Sequence, residues 1–218
     1  MNPYRRKILA SFALSLAAAP AFAQKRIPEE GVDYRLIAPP LPPESKTKVE
    51  VIEFFWYGCP HCHAFEPTLS PWVKKLPADV MFRRVPAVFN ETWIPHARLY
   101  YTLELLGETE RLHKTIFDTI HQQHQMLATE AAIGEFMQKH GVDRKKFSDT
   151  FNSFSLQSKV QRSLQLQTAY GIDGVPAMGV DGRYMTANTM LGGNHAAVLP
   201  VLDYLIVLAR KQHKLPRA

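Results

Sequence analysis

Lys48-Val49-Glu50-Val51-Ile52-Glu53-Phe54-Phe55-Trp56-Tyr57-Gly58-Cys59-Pro60-His61-Cys62 is the stretch from which the fold is read. Lys48 to Trp56 is β-branched and aromatic and stops at Gly58, which predicts a strand. Cys59 follows directly, and Pro60 suits the first turn of a helix. A helix N-terminus presents unpaired N–H groups and the positive end of the helix dipole, so it favours an anion. At Cys59 that anion is a thiolate. C-x-x-C cysteines at such sites have pKa values of roughly 3.5–7.5, against about 8.5 for a free thiol. His61 lies between the cysteines and adds a positive or hydrogen-bonding neighbour. Cys62, one turn further in, points back into the fold and is expected to be the less exposed thiol.

This asymmetry sets a direction for the chemistry. A stabilised Cys59 thiolate stabilises the reduced form, which makes the disulfide the stronger oxidant. Each pKa unit is worth about 1.4 kcal/mol, or about 30 mV for a two-electron couple, so a depression of about four units supplies on the order of 100 mV. A low-pKa thiol is also a good leaving group.

Outward from the motif, Pro67 and Pro71 are expected to kink or restart the helix, with Ser70-Pro71 opening a second piece to Lys75. Val80 to Val88 is a second strand candidate. Trp93–Leu106, Glu108–Gln123, Thr129–His140 and Asp143–Tyr170 show helical spacing, the last with a break near Asn152-Ser153. Gly107, Gly141 and Gly171 serve as C-terminal stops. Strand chemistry returns at Pro176–Val180 and Arg183–Thr186, with Asp181-Gly182 as a two-residue hairpin signal. A final helix is expected over Leu199–Lys211, with Pro200 near its first turn. The helical block reads as an insertion into an α/β domain, with a strand pair on each side forming one sheet. Residues 24–46, with Pro39-Pro40-Leu41-Pro42-Pro43 at their centre, read as an extended lead-in.

The N-terminus reads as an address. Arg5-Arg6-Lys7 is a positive region, Ile8 to Ala19 is uncharged and rich in Ala and Leu, and Ala21-Phe22-Ala23 is a cleavage signal. Ile8 to Ala23 is shorter than the roughly 20 residues of a membrane span and contains Pro20. Arg5-Arg6 is only a weak twin-arginine match. The chain has 218 residues and a net charge of +6, of which residues 1–23 carry three positive charges and no negative ones. The mature chain is then at +3, with no Lys/Arg block pointing to nucleic acid. Two cysteines exclude a disulfide-scaffolded miniprotein and a four-cysteine zinc module. In an exported protein, where disulfides are permitted, a cysteine pair is expected to be oxidised or redox-active and not kept as two idle thiols.

Three other readings of the motif are weaker. Cys59 to His63 spells the c-type haem pattern C-x-x-C-H, but the motif follows a strand directly and Pro60 fits a redox helix start. Two cysteines and two histidines within five residues do not easily reach one tetrahedral zinc. An inert disulfide over so short a span restricts the unfolded chain little.

Glu53 to Cys62, with Phe65-Glu66 after it, resembles the active site of DsbA-type thiol:disulfide oxidoreductases, and Gly174-Val175-Pro176-Ala177-Met178 resembles their second signature. The resemblance covers nearly all of the mature chain. The low end of the C-x-x-C pKa range above is this family's own value. The resemblance implies a thioredoxin-like fold with an inserted helical domain: a thioredoxin-like unit over residues 24–89 and 171–218, the insertion over 90–170, and a signal peptide over 1–23. It implies that Cys59 forms the mixed disulfide with substrate, Cys62 resolves it, and His61, with Pro60, tunes Cys59. It also implies that Pro176 is cis beside Cys59, opening the Val175 backbone for substrate pairing. The substrates are reduced or unfolded exported polypeptides in the periplasm, and a DsbB-type quinone-linked membrane protein is the reoxidant. A monomer without metal or organic cofactor is expected.

Two readings stand for Glu53: a solvent-facing carboxylate at the strand edge, or a buried acid near Cys62 that relays protons. The family's familiar partner for that acid is a lysine on the next strand, where this chain has Arg83 and Arg84. Arginine does not release its proton in practice, which speaks against a coupled acid–lysine titration. His63, His121 and His124 are expected on solvated helix faces, and Trp56 and Tyr57 at the edge of the active-site surface. An isomerase of the same chemistry usually carries a dimerisation domain ahead of the thioredoxin unit, and residues 24–47 are too few for one.

Overall fold

The computed structural model describes residues 26–213. The expected signal peptide, residues 1–23, lies outside them. Five strands form one sheet in the order β1-β5-β4-β2-β3. Strand β2 (Val49–Phe55) is central, parallel to β3 (Val80–Pro86) and antiparallel to β4 (Ala177–Val180). Strand β5 (Tyr184–Ala187) pairs antiparallel with β4 and with β1 (Arg35–Leu36). The short β1 comes from the segment expected to be only a lead-in. Polar patterning concealed it, because an edge strand of two residues needs no apolar run.

Every residue of β2 is buried, so helices cover both of its faces. On one face Val49 and Val51 pack with Phe65 and Leu69 of α1 (Pro60–Val73) and with Val198, Leu202 and Leu205 of α7 (His195–His213). On the other, Ile52 and Phe54 pack with Tyr170 and Leu166. Gly179 permits this approach: a Cβ there would stand 2.4 Å from the Tyr170 ring.

Between β3 and β4 run a short 3-10 turn (Glu91–Trp93) and five helices. These are α2 (Ile94–Leu106), α3 (Thr109–His121), α4 (Glu130–Lys139), α5 (Arg144–Phe151) and α6 (Phe154–Ala169). They share a core of Leu99, Leu103, Ile116, Phe117, Ile133 and Met137. Gly107, Gly141 and Gly171 follow helix ends with φ of 74°, 79° and 58°, where a left-handed residue closes the last turn. The long pattern Asp143–Tyr170 does break at Asn152-Ser153, and Ser153 caps α6 through its Oγ on the Leu156 N–H.

Three local expectations are corrected. Helix α1 runs unbroken through Pro67 and Pro71, and Ser70 Oγ donates to Glu66 instead of opening a second helix. The buried stripe Cys62, Phe65, Glu66 and Leu69 holds the helix to its neighbours and outweighs two missing backbone hydrogen bonds. Helix α7 starts four residues early, with Pro200 inside it. The carbonyl that Pro200 leaves unbonded is that of Ala196, and both residues are solvent-exposed. The hairpin register pairs Val180 with Tyr184, so three residues connect the strands instead of two. Asp181 and Gly182 both have positive φ (57° and 64°), as the signal required.

Candidate active site

Strand β2 ends at Phe55, and the chain turns through Trp56, Tyr57 and Gly58 into α1. Trp56 folds back over this turn and stacks on Trp93, with ring centroids 4.0 Å apart and planes 5° apart. A Cβ on Gly58 would meet the Trp56 ring at 2.3 Å, so the turn requires glycine. Cys59 is the N-cap of α1 in extended conformation (φ −86°, ψ 117°), and Pro60 opens the helix.

Cys59 Sγ accepts from the Cys62 backbone N–H at 3.4 Å and donates to the Val175 carbonyl at 3.5 Å. The Val175–Pro176 peptide is cis. The two thiols are free and unequal: Cys59 is 7% exposed and Cys62 fully buried. Hydrogen bonding from the Cys62 thiol, opposed by burial and aided by backbone N–H groups of Cys62 and His61 and the His61 charge, lowers the Cys59 pKa to about 6. Burial, with the nearby Cys59 and Glu53 charges, pushes Cys62 well above the ordinary thiol range. His61 is exposed, and its ring lies 6.2 Å from that of His195 at the start of α7.

Glu53 is fully buried, which overturns the solvent-facing alternative. It lies opposite Arg84 in the β2–β3 register, and Arg84 Nε donates to Glu53 Oε2 at 2.8 Å. Arg83 lies on the opposite face and pairs with Glu50 at 2.6 Å. Arg84 also donates through Nη2 to Glu66 Oε1 at 2.8 Å. One guanidinium thus serves two buried carboxylates. Burial raises Glu53 to about 8, since Arg84 offsets only part of the cost and Glu66 and Cys59 add negative charge nearby. Burial pushes Glu66 up as well, but His113, Arg84 and Ser70 outweigh it and hold Glu66 at about 2.

Motif reading placed Glu66 beside the site without giving it a role, and did not assign Ser70 or His113 to it. Glu66 stands four residues after Cys62, so helical spacing puts both on the buried face of α1. His113 sits between Leu112 and Ile116 on the buried face of α3. Amphipathic periodicity marks that position as interior but is silent on its partner.

The remaining aromatic and histidine expectations fare unevenly. Tyr57 is buried, its hydroxyl on His113 at 2.8 Å, and not at the surface edge. His63 is half-buried, with Nε2 3.3 Å from Asp118 and its ring stacked on His121 at 4.9 Å. His121 is half-buried too and donates to the Tyr57 carbonyl at 2.8 Å, while His124 is exposed as expected but lies beyond the end of α3 and not on a helix face. Both corrected histidines lie where α3 packs against α1, a seam that one helix's periodicity does not show. Among the described residues no group of three or more His, Cys, Asp or Glu is placed to hold a metal ion.

Comparison with known proteins agrees with this geometry. The family model "DSBA-like thioredoxin domain" matches residues 82–198, more than half of the chain. The thiol:disulfide interchange protein DsbA of Burkholderia cepacia is 42% identical over 204 residues, covering 92% of this chain and 96% of its own. The protein of the same name from Bordetella parapertussis is 45% identical over 199 residues, covering 91% and 95%. Among solved structures, Pseudomonas aeruginosa DsbA superposes with a TM-score of 0.82 at 41% identity, over 86% of this chain and 97% of that one. The DsbA oxidoreductase of Xylella fastidiosa gives 0.79 at 32% identity, over 85% and 100%. With a thiol pair at a helix start, a helical insertion in a mixed sheet and near full-length relatives, the chain belongs to the DsbA-like thioredoxin-domain family of thiol:disulfide oxidoreductases.

Proposed function

We propose that this oxidoreductase works as an oxidant, donating a Cys59–Cys62 disulfide to reduced polypeptides exported to the periplasm. The observation that carries this reading is the opposed ionisation of the two sulfurs, Cys59 lowered to about 6 and Cys62 raised. A thiolate favoured at Cys59 favours the reduced dithiol, so the disulfide gives up its bond readily.

A substrate thiolate attacks Cys59 Sγ, and the Cys59–Cys62 bond breaks with its electron pair on Cys62. A second substrate thiolate then attacks the substrate sulfur of the mixed disulfide and expels Cys59 as a thiolate. In the reverse direction Cys62 resolves the mixed disulfide. Pro60 starts the helix that stabilises Cys59, and His61 supplies positive charge beside it. Glu53 exchanges a proton with the Cys62 sulfur, a role supported by its burial and its pKa of about 8. Val175 and cis Pro176 offer backbone to the substrate next to Cys59, which the 3.5 Å contact between Cys59 Sγ and the Val175 carbonyl supports.

The family resemblance extends the proposal to a quinone-linked membrane reoxidant of the DsbB type, a monomeric state, and removal of residues 1–23 on export. It also divides the chain into a thioredoxin-like unit (24–89 and 171–218) and a helical domain (90–170). No helix among the described residues is long and apolar enough to cross a membrane.

The test is a redox titration against glutathione with the pH dependence of Cys59 alkylation. The expected outcome is a potential well above thioredoxin's roughly −270 mV, with alkylation falling to half its plateau at about pH 6. A thioredoxin-like potential, or no acceleration of disulfide formation in a reduced protein, refutes the oxidant reading.

A further inference from the structure

Thiol exchange at Cys59 and Cys62 leaves one buried polar chain without a task. Tyr57 Oη lies 2.8 Å from His113 Nδ1, and His113 Nε2 lies 3.2 Å from Glu66 Oε1. Glu66 also receives Arg84 Nη2 at 2.8 Å and Ser70 Oγ at 2.7 Å. An ionised carboxylate only accepts, so His113 Nε2 carries the hydrogen. Burial and the Arg84 charge disfavour a second proton on the ring, so His113 is neutral and Nδ1 accepts from the Tyr57 hydroxyl.

The charge count around Arg84 is uneven. Glu66 has three donors, whereas Glu53 has one, and its Oε1 is buried with no hydrogen-bond partner. One cation compensates one carboxylate, and the better-solvated of the two takes the negative charge. The donor that tips this balance and comes from the helical insertion is His113. The titratable or charged groups around it are Glu66 on α1, Tyr57 before α1, Arg84 on β3 and Tyr100 on α2; Phe55 and Phe117 complete its surroundings.

We propose that His113 is a positioning residue for thiol–disulfide exchange: by donating to Glu66 it fixes the negative charge there, so that Glu53 keeps the proton delivered to the Cys62 sulfur. The proposal rests on the reading above in which Cys59 and Cys62 exchange and Glu53 is the proton donor. When the substrate thiolate breaks the Cys59–Cys62 bond, the leaving electron pair on Cys62 takes the Glu53 proton, and Glu53 is reprotonated from solvent. Over the full reaction two substrate thiols become a disulfide, the enzyme disulfide becomes one thiolate and one thiol, and one proton is released. The substrate sulfurs supply both electrons.

The test uses the exported chain without its signal and the variants His113→Phe, His113→Gln, Tyr57→Phe and Glu53→Gln. The readouts are the pH profile of dithiol oxidation and the carboxylic-acid C=O band in infrared spectra at pH 7. Glu53→Gln identifies the Glu53 band and the profile's break near pH 8. His113→Phe is expected to lose most of that band and to move the break down by one pH unit or more, because Arg84 then compensates Glu53. His113→Gln, which keeps an N–H donor, is expected to restore both. An unchanged band and profile in folded His113→Phe overturn the proposal. If that variant does not fold, Tyr57→Phe decides: a smaller shift in the same direction supports the proposal, and an unchanged profile overturns it. The underlying reading fails separately, in the unmutated protein by lack of dithiol oxidation, or in Glu53→Gln by an unchanged profile.

Discussion

Glu50–Arg83 and Glu53–Arg84 are the same pair of residue types on the same two strands, three residues apart along β2 and on opposite faces of the sheet. Arg83 is 25% exposed in its side chain, and it reaches Glu44 at the surface as well as Glu50. Arg84 is 14% exposed and is divided between Glu53 and Glu66, both almost wholly enclosed. Burial raises Glu50 too, but Arg83 opposes it, and the charge lies within electrostatic reach of Tyr170, on the face of the sheet away from α1. Glu53 lies within electrostatic reach of Cys59 and Cys62. On the proposed mechanism one acid–arginine pair is structural and the other chemical, according to the face each occupies and to how many carboxylates draw on the cation.

The largest effect that would break this contrast is on stability. Arg84→Leu strands two buried carboxylates and is expected to cost about 3–5 kcal/mol, as loss of one partner of a buried ion pair does. Arg83→Leu strands one buried carboxylate, Glu50, beside a guanidinium site that solvent already reaches, and is expected to cost about 1–3 kcal/mol. Urea denaturation of the reduced proteins measures both. Equal losses would show that the shared cation is no different from the simple pair.

Next comes the chemistry. Glu53→Gln is expected to slow dithiol oxidation by about 10²-fold, the lower range for a positioned acid or base, while Glu50→Gln leaves the rate unchanged. The same variants separate in the pH dependence of stability. Glu53 is raised by folding, so its contribution is full below about 4.5 and is lost as pH climbs through about 8. Cys59 is lowered, so its contribution is full above about 9 and is lost as pH falls through about 6. Between pH 6 and 8 the two oppose each other. Reduced Glu53→Gln is expected to gain stability relative to the parent as pH rises through that window, and reduced Cys59→Ser to lose it. A rate loss in Glu50→Gln as large as in Glu53→Gln erases the distinction between faces.

The smallest effect sharpens the contrast from the structural side. The Tyr170 hydroxyl accepts from the Gly182 N–H in a buried position. Tyr170→Phe is expected to cost about 1 kcal/mol and to leave thiol exchange untouched. A changed Cys59 alkylation midpoint in that variant would mean that the two faces communicate.

Much of the fold was legible because it rests on local rules. Strand β2 announced itself by composition, the helices of the insertion by periodicity, and their ends by Gly107, Gly141 and Gly171. Strand β1 and the length of α7 were not legible, since an edge strand borrows its order from β5 and a helix with an exposed proline from the core it covers. The same division holds at the site. Cys59, Pro60, His61, Cys62 and the cis Val175–Pro176 step were marked by motif. Arg84 was left undecided against Arg83, because which of two adjacent strand residues faces α1 depends on register. Glu66 came with the motif but without a role, and His113 carried no motif.

The sequence by itself determined that two thiols stand at a helix start after a buried strand, and that they are unlike. Spacing of one helical turn and the polarity of a helix end are local properties of the chain. Only the tertiary structure decided which acid near them holds a proton. That outcome depends on one arginine, two carboxylates and a histidine from four different elements meeting where they are largely buried, so that the number of donors at each oxygen governs its charge.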